Sequence, residues 1–157
     1  MSTTRKTATS SKSRGLAEGY RSGLEETVAA RLTALEVFYE YEALVIPYLQ
    51  PQKPRKYTPD FVLPNGIVVE TKGRFITADR QKHILVKEQY PNLDLRFLFS
   101  NANARISKQS RTTYAKWCED HGFLFAHRHL PDAWLAEPKN IRSWHVIGNL
   151  MYAAHHK

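Results

Sequence analysis

Residues 58–72 have the sequence Thr58-Pro59-Asp60-Phe61-Val62-Leu63-Pro64-Asn65-Gly66-Ile67-Val68-Val69-Glu70-Thr71-Lys72. Two apolar runs flank a Pro-Asn-Gly turn signal, a pattern that predicts a β-hairpin with a loop of about three residues. If Leu63 pairs with Ile67, Asp60 lies opposite Glu70. Like charges that face each other across strands destabilise a hairpin, so we expect a cation between them, most simply a divalent metal ion.

Lys72 follows Glu70 by two residues, and the strand period of two places its ammonium group on the same face as both acids. Metal-dependent phosphodiester cleavage needs hard oxygen ligands, a group that aims a water molecule and positive charge near the phosphate. Asp60 and Glu70 would supply oxygen ligands, and the backbone carbonyl of Thr71 would add another. Lys72 would orient the water and stabilise the developing negative charge.

Glu25 is a fourth candidate, on a predicted helix that begins at Ser22. The apolar face of this helix is formed by Leu24, Val28, Leu32 and Leu35. Glu25 lies about 60° from the centre of that face at 100° per residue, so it can reach a site from the helix edge. A second metal ion shared by Asp60 and Glu25 would stabilise the leaving oxygen. The alternative, equally weighted on local sequence, is a capping box with Ser22.

The rest of the chain predicts an α/β fold in the order helix, three strands, helix, strand. A first strand is expected over 39–46 and an extended Pro-rich connector over 47–56. After the hairpin, the pattern predicts a helix over 77–89 capped by Thr77, a strand over 93–99 and a helix over 112–121 that Gly122 ends. A short strand over 123–126, a helical turn over 132–137 and a last helix over 141–154 follow.

The net charge, the cysteine count and the lengths of the apolar runs limit the kinds of function that the protein can have. The chain has 157 residues and a formal charge of +8, which favours a polyanionic partner such as nucleic acid. A single cysteine, Cys118, excludes an internal disulfide and favours a reducing cytoplasm. We find no apolar run of the roughly 20 residues that a membrane span needs and no secretory signal.

Residues 1–20 are basic and poor in bulky apolar groups, so we expect a disordered arm before a nuclease domain over 21–138 and a helical tail over 139–157. The arm either contacts DNA or is a solvated terminus, and an organellar transit peptide is a third, weaker interpretation. Cys118 with His121, and His127 with His129, are weak zinc candidates because their spacing is loose. Trp117, Trp134 and Tyr114 are expected to be packing groups.

Several motifs resemble one nuclease family. Pro59-Asp60 and Glu70-Thr71-Lys72 resemble the PD-(D/E)XK superfamily, whose core is a restriction-endonuclease-like αβββαβ unit with a mixed central sheet. From about Arg21 to Pro138 the chain is similar to the phage endonuclease I family of Holliday-junction-resolving enzymes. The motifs that carry the closer similarity are Arg21-Ser22-Gly23-Leu24-Glu25, Tyr57-Thr58-Pro59-Asp60-Phe61, Leu63-Pro64-Asn65-Gly66-Ile67, Val69-Glu70-Thr71-Lys72-Gly73, Asp79-Arg80, Lys82-His83 and Glu88-Gln89.

The resemblance implies an enzyme that cuts two opposing strands of four-way DNA junctions and leaves 5′-phosphates. It implies Mg²⁺, for which Mn²⁺ substitutes, with two ions at each active site, and action in the host cell cytoplasm if a phage encodes the protein. It also implies a domain-swapped homodimer, in which Glu25 reaches Asp60, Glu70 and Lys72 of the other subunit. Phosphate contacts are expected from basic side chains near the site, namely Arg21, Arg74, Arg80 and Lys82.

Two alternatives remain open from the sequence. One is a sequence-dependent or transposition-associated nuclease of the same superfamily, and the other is a non-catalytic DNA-binding protein. The end of the chain, from Ile141, is apolar and His-bearing where the family tends to be Lys-rich. The N-terminal arm is therefore hypothesised to make the phosphate contacts that such a tail would make.

Overall fold

The structure is a computed structural model that describes residues 23–51 and 53–156. Within this part of the chain, a five-stranded mixed sheet is flanked by helices. The elements in chain order are α1 (Gly23–Ala34), β1 (Glu40–Tyr41), β2 (Ile46–Gln50), β3 (Lys53–Tyr57), β4 (Phe61–Val62), β5 (Ile67–Lys72), α2 (Thr77–Gln89), β6 (Asp94–Phe99), α3 (Tyr114–His121), β7 (Phe125–His127), α4 (Asp132–Ala136) and α5 (Ile141–His155).

The central sheet has the spatial order β1-β4-β5-β6-β7. Strands β1, β4 and β5 are antiparallel, whereas β5, β6 and β7 are parallel and are joined by helices α2 and α3. The predicted hairpin register is confirmed, because Phe61 lies opposite Val69 and Val62 lies opposite Val68. The predicted αβββαβ core is also confirmed, with the extra hairpin β2–β3 inserted after its first strand.

The segment before the catalytic hairpin differs from the prediction. The strand expected over 39–46 ends at Tyr41, because Glu42 has a left-handed backbone with φ of 48° and turns the chain. The connector expected over 47–56 is extended, but it is paired as the antiparallel hairpin β2–β3. Pro47 and Pro54 fit into this two-stranded ribbon because each strand has an outer edge where no N–H group is needed.

The two faces of the sheet carry separate hydrophobic clusters. Val62 and Val68 lie in a cluster with residues of α2 and α3. Phe61 and Val69 lie in another, with Val28 and Leu32 of α1. Because successive strand residues point to opposite faces, β4 and β5 are buried on both sides, and polar side chains there are surrounded by apolar groups.

The predicted ends of the helices are partly right. Gly122 ends α3 in a left-handed conformation, and Thr113 caps its start by accepting a hydrogen bond from the N–H of Lys116. Thr77 begins α2 as predicted, but it is not the cap, since that position is held by Ile76. The start proposed for α1 at Ser22 lies outside the described residues. Leu35, expected on the packed face of α1, follows the helix and is 45% exposed. Strand β7 begins two residues later than predicted and ends one residue later.

Helix α5 packs against the turn between β4 and β5. The Ser143 hydroxyl donates a hydrogen bond to the carbonyl of Gly66 at 2.7 Å, and the Trp144 indole donates to the carbonyl of Pro64 at 2.9 Å. Gly66 has a φ of 88°, which favours glycine. The turn is thus fixed by its own backbone and by α5, which lies more than 70 residues further along the chain.

Replacing Gly66 with alanine is expected to destabilise the protein by about 2 kcal/mol or more. A Cβ atom there would lie 3.0 Å from Cδ1 of Trp144 and 3.1 Å from the carbonyl oxygen of Asn140, on a backbone that disfavours L side chains. Gly148→Ala is the matched control, because a Cβ there meets nothing within 4 Å and stabilises a helix interior by about 0.5–1 kcal/mol. Urea denaturation measures both changes, and equal stability of the two variants would contradict the prediction.

Candidate active site

The predicted register brings the acids of the hairpin together in a buried site. Asp60 directly precedes β4, and its Oδ2 accepts hydrogen bonds from the backbone N–H of Thr71 at 2.9 Å and from the Thr71 hydroxyl at 2.8 Å. Glu70, the residue before Thr71, is buried as well. Thr71, which follows Glu70 in the chain, therefore holds Asp60 through its N–H and hydroxyl groups, whereas its carbonyl remains a predicted ligand.

Glu70 is held at both carboxylate oxygens. Its Oε2 accepts a hydrogen bond from the hydroxyl of Tyr57 at 2.5 Å, and its Oε1 lies 3.4 Å from Nζ of Lys72. Lys72 also lies 3.5 Å from Asp79 at the start of α2. The strand period thus places Lys72 beside Glu70, as the sequence indicated.

Glu25 joins this site within a single chain. It is 6% exposed, so it is buried more deeply than its predicted place at the helix edge suggests. Its carboxylate accepts a hydrogen bond from the Tyr41 hydroxyl. Carboxylate oxygens of Glu25, Glu42 and Asp60 lie within 4.8 Å of one another, an arrangement that can hold a metal ion.

Glu42 is the member of this group that the sequence reasoning missed. Its backbone N–H donates a hydrogen bond to the carbonyl of Asp60 at 3.0 Å, which extends the pairing of Tyr41 with Phe61 by one residue. The register of β1 on β4 was the signal that could have revealed it. The prediction ran the first strand through to residue 46 and assigned it no partner, so Glu42 was not placed.

Burial raises the pKa of Asp60 and of Glu70, and repulsion by neighbouring carboxylates adds to the shift of Asp60. Burial, followed by the charges of Glu70 and Glu25, raises the pKa of Asp60 to about 7, against the hydrogen bonds from Thr71. Burial also raises the pKa of Glu70, although Lys72 and Tyr57 oppose the shift. A bound cation would reverse these effects. Clustered carboxylate oxygens are the hard ligands that divalent ions such as Mg²⁺ and Mn²⁺ prefer, so the residues present fit such an ion.

Comparison with known proteins identifies the family of the chain. The sequence model described as Phage endonuclease I matches residues 6–151. The chain belongs to the phage endonuclease I family. Among its relatives, endodeoxyribonuclease 1 of Enterobacteria phage T3 is 48% identical over 120 residues, which are 76% of this chain and 79% of the relative. Endonuclease I of Escherichia phage T7 is 47% identical over 120 residues, 76% of this chain and 80% of the relative.

The basic residues predicted to contact phosphate occupy different environments in this family member. Arg21 lies outside the described residues, and Arg74 is exposed. Arg80 donates hydrogen bonds to the carbonyl of Phe75 at 2.5 Å and to the Thr77 hydroxyl at 3.0 Å, so it closes the first turn of α2. Lys82 lies over the ring of Tyr57, with Nζ 4.8 Å from the centroid, and its pKa is lowered by burial and by Lys72.

The residues weighed as zinc ligands do not form a site in the described part of the chain. Cys118 is fully buried in the hydrophobic core, and burial raises the pKa of its thiol to about 12. The Nδ1 atom of His127 accepts a hydrogen bond from the N–H of Ala102 at 3.0 Å. Trp117, Trp134 and Tyr114 are buried packing groups, as expected. Across residues 23–51 and 53–156, no helix combines the length and apolar character needed to cross a membrane.

Asp60→Asn is expected to stabilise the metal-free protein at pH 8, on the order of 2 kcal/mol. The pKa of Asp60 rises from its usual 3.8 to about 7 on folding, so the folded state holds the proton more tightly. The resulting stability is complete below about pH 4 and is lost as the pH rises through 7. Thermal denaturation from pH 4 to 8 in chelator measures the loss, and identical pH slopes in both proteins would contradict the prediction.

Proposed function

We propose that this protein is a structure-selective DNA endonuclease that resolves four-way (Holliday) junctions and other branched DNA. It hydrolyses phosphodiester bonds with Mg²⁺ and leaves 5′-phosphates. The observation that carries the proposal is the buried group of Asp60, Glu70 and Glu25 beside Lys72, in a chain that belongs to a family of phage endonucleases. The formal charge of +8 favours a polyanionic substrate.

The residues divide the chemistry among them. Asp60, Glu70 and the carbonyl of Thr71 would hold one Mg²⁺, and Asp60 with Glu25 would hold a second. When bound, these ions supply Lewis acidity at the scissile phosphate and lower the pKa of water. The ammonium group of Lys72 orients the attacking water and stabilises negative charge on the phosphate oxygens.

Contacts outside the reacting phosphate would position the DNA. Arg74 is exposed and follows Lys72 by two residues, Lys82 lies over the ring of Tyr57, and both would bind backbone phosphates. Arg21 and the basic residues of 1–20 would extend this surface. Arg80 would join them only by giving up part of its hydrogen bonding within α2. The proposed place of action is the cytoplasm of the host cell.

A direct test compares a synthetic four-way junction with linear duplexes of the same arm sequences. We expect paired cuts across the junction in Mg²⁺, with 5′-phosphate ends, and no cuts in chelator. Equal cutting of junction and duplex would remove the junction-resolving function, and sequence-dependent cutting of the duplex would indicate another kind of nuclease. Binding without cleavage in either Mg²⁺ or Mn²⁺ would indicate a non-catalytic DNA-binding protein.

Asp60→Ala and Lys72→Ala are expected to reduce junction cleavage by at least about 10²–10³-fold while retaining junction binding. The first variant loses a shared metal ligand, and the second loses the charge beside the reacting phosphate. Lys116→Ala is the control, because this exposed lysine pairs with Asp120 on the surface of α3. Single-turnover cleavage and gel-shift assays measure the two effects, and full activity of either site variant would refute the assigned roles.

We propose in addition that the protein acts as a homodimer whose subunits exchange α1 and β1. Two active sites in one particle would account for paired cuts. Glu25 and its hydrogen-bond donor Tyr41 both precede the hairpin β2–β3, so an exchange at this hairpin would move them together. The site formed by two exchanged chains would then contain the same groups as the site within one chain.

Mixed dimers of Glu25→Gln and Asp60→Asn subunits test the exchange. An exchanged mixed dimer has one site with both acids intact and one site with neither, so it should nick one junction strand. Without exchange, both sites lack an acid and cleavage should be absent. Coexpressed subunits with different affinity tags provide the mixed dimer, nicking is measured on a junction labelled on each strand, and each homodimeric variant is the control.

A further inference from the structure

Tyr57 lies at the end of β3, where the hairpin β2–β3 meets the candidate active site. Its ring is 4% exposed, and its hydroxyl donates to Oε2 of Glu70 at 2.5 Å. The other oxygen of Glu70 faces Lys72. The two oxygens of the Glu70 carboxylate therefore have different partners. Oε2 is bound by a neutral donor, and Oε1 faces the side of the site where the reaction is proposed to occur.

The ring of Tyr57 is itself fixed on two sides. The imidazole of His83 packs edge-on against it, with centroids 4.9 Å apart and an interplanar angle of 88°, and Nζ of Lys82 lies 4.8 Å from its centroid. His83 is fully buried and also packs against Phe97. Neither ring nitrogen of His83 has a hydrogen-bond partner in the described part of the chain, so its imidazole acts as an aromatic wall.

We propose that Tyr57 is a positioning residue, which holds the Glu70 carboxylate so that Oε1 is presented to the divalent cation. The proposal rests on the proposed function, because it assumes that Glu70 binds a cation. A ligand whose outer partner is removed retains its oxygens but loses a fixed orientation, and such losses reduce metal affinity by about 10–100-fold. Tyr57 would thus act on the reaction through Glu70, without touching the DNA.

The test is the variant Tyr57→Phe, which removes the hydroxyl and keeps the ring contacts with His83 and Lys82. Tyr90→Phe is the matched control, because the Tyr90 hydroxyl donates to the carbonyl of Pro47 in the same hairpin but away from Glu70. Mn²⁺ affinity is measured without DNA by electron paramagnetic resonance. We expect Tyr57→Phe to weaken it about 10–100-fold and Tyr90→Phe to leave it unchanged.

A double-mutant cycle separates positioning from general loss of structure. In a Glu70→Gln background, Tyr57→Phe should cause no further loss of Mn²⁺ affinity, since the carboxylate that it orients is gone. Thermal midpoints establish that every variant is folded at the assay temperature, and Tyr57→Phe is expected to lose some stability because it leaves one buried oxygen of Glu70 without its donor. Junction affinity in chelator reports on DNA binding and should not distinguish Tyr57→Phe from Tyr90→Phe. Unchanged Mn²⁺ affinity in Tyr57→Phe, or an equal loss in the Glu70→Gln background, would overturn the proposal.

The outcome also distinguishes this proposal from the proposed function. If wild-type protein binds Mn²⁺ and shows the expected cycle but does not cleave junctions, the positioning role stands and the nuclease function fails. If wild-type protein cleaves junctions and Tyr57→Phe binds Mn²⁺ normally, the function stands and the positioning role fails. If the wild-type protein binds no Mn²⁺, the positioning role also fails.

Discussion

The burial of several carboxylates in one small volume is the constraint on which the site depends. Asp60, Glu70 and Glu25 are each nearly inaccessible to solvent, and burial is the largest cause of the raised pKa of the first two. Each acid accepts a hydrogen bond from a buried neighbour, which is Thr71, Tyr57 or Tyr41. These donors offset part of the desolvation free energy but leave net negative charge, so the folded chain is prepared for a cation.

The acids are brought together by the pairing of β-strands and not by attraction between distant charges. Antiparallel pairing of β1 with β4 and of β4 with β5 brings three acidic segments side by side, while parallel β6 supports β5 from the other edge. Apolar side chains on both faces exclude water from the strands that carry Asp60 and Glu70. The geometry of the acids therefore depends on backbone hydrogen bonds and core packing.

Much of this arrangement could be predicted from local sequence, because a turn signal and a strand period of two fix the register of a hairpin. Asp60, Glu70 and Lys72 were placed in this way. Glu42 and Tyr57 were not, since their places depend on which strands become neighbours and on a prolyl segment that pairs with itself. Arg80 shows that sequence can also suggest a phosphate contact whose side chain is already in use. Its guanidinium group donates hydrogen bonds to residues at the start of its own helix, which the sequence did not reveal.

The turn at Gly66 links the active-site hairpin to residues that are made much later. Its hydrogen bond with Ser143 spans 77 positions, and that of Pro64 with Trp144 spans 80. During translation, the strands carrying Asp60 and Glu70 emerge long before α5 exists to pack on their turn. Contacts of such large sequence separation form after local structure, so the nascent chain fixes this turn only after α5 has been made.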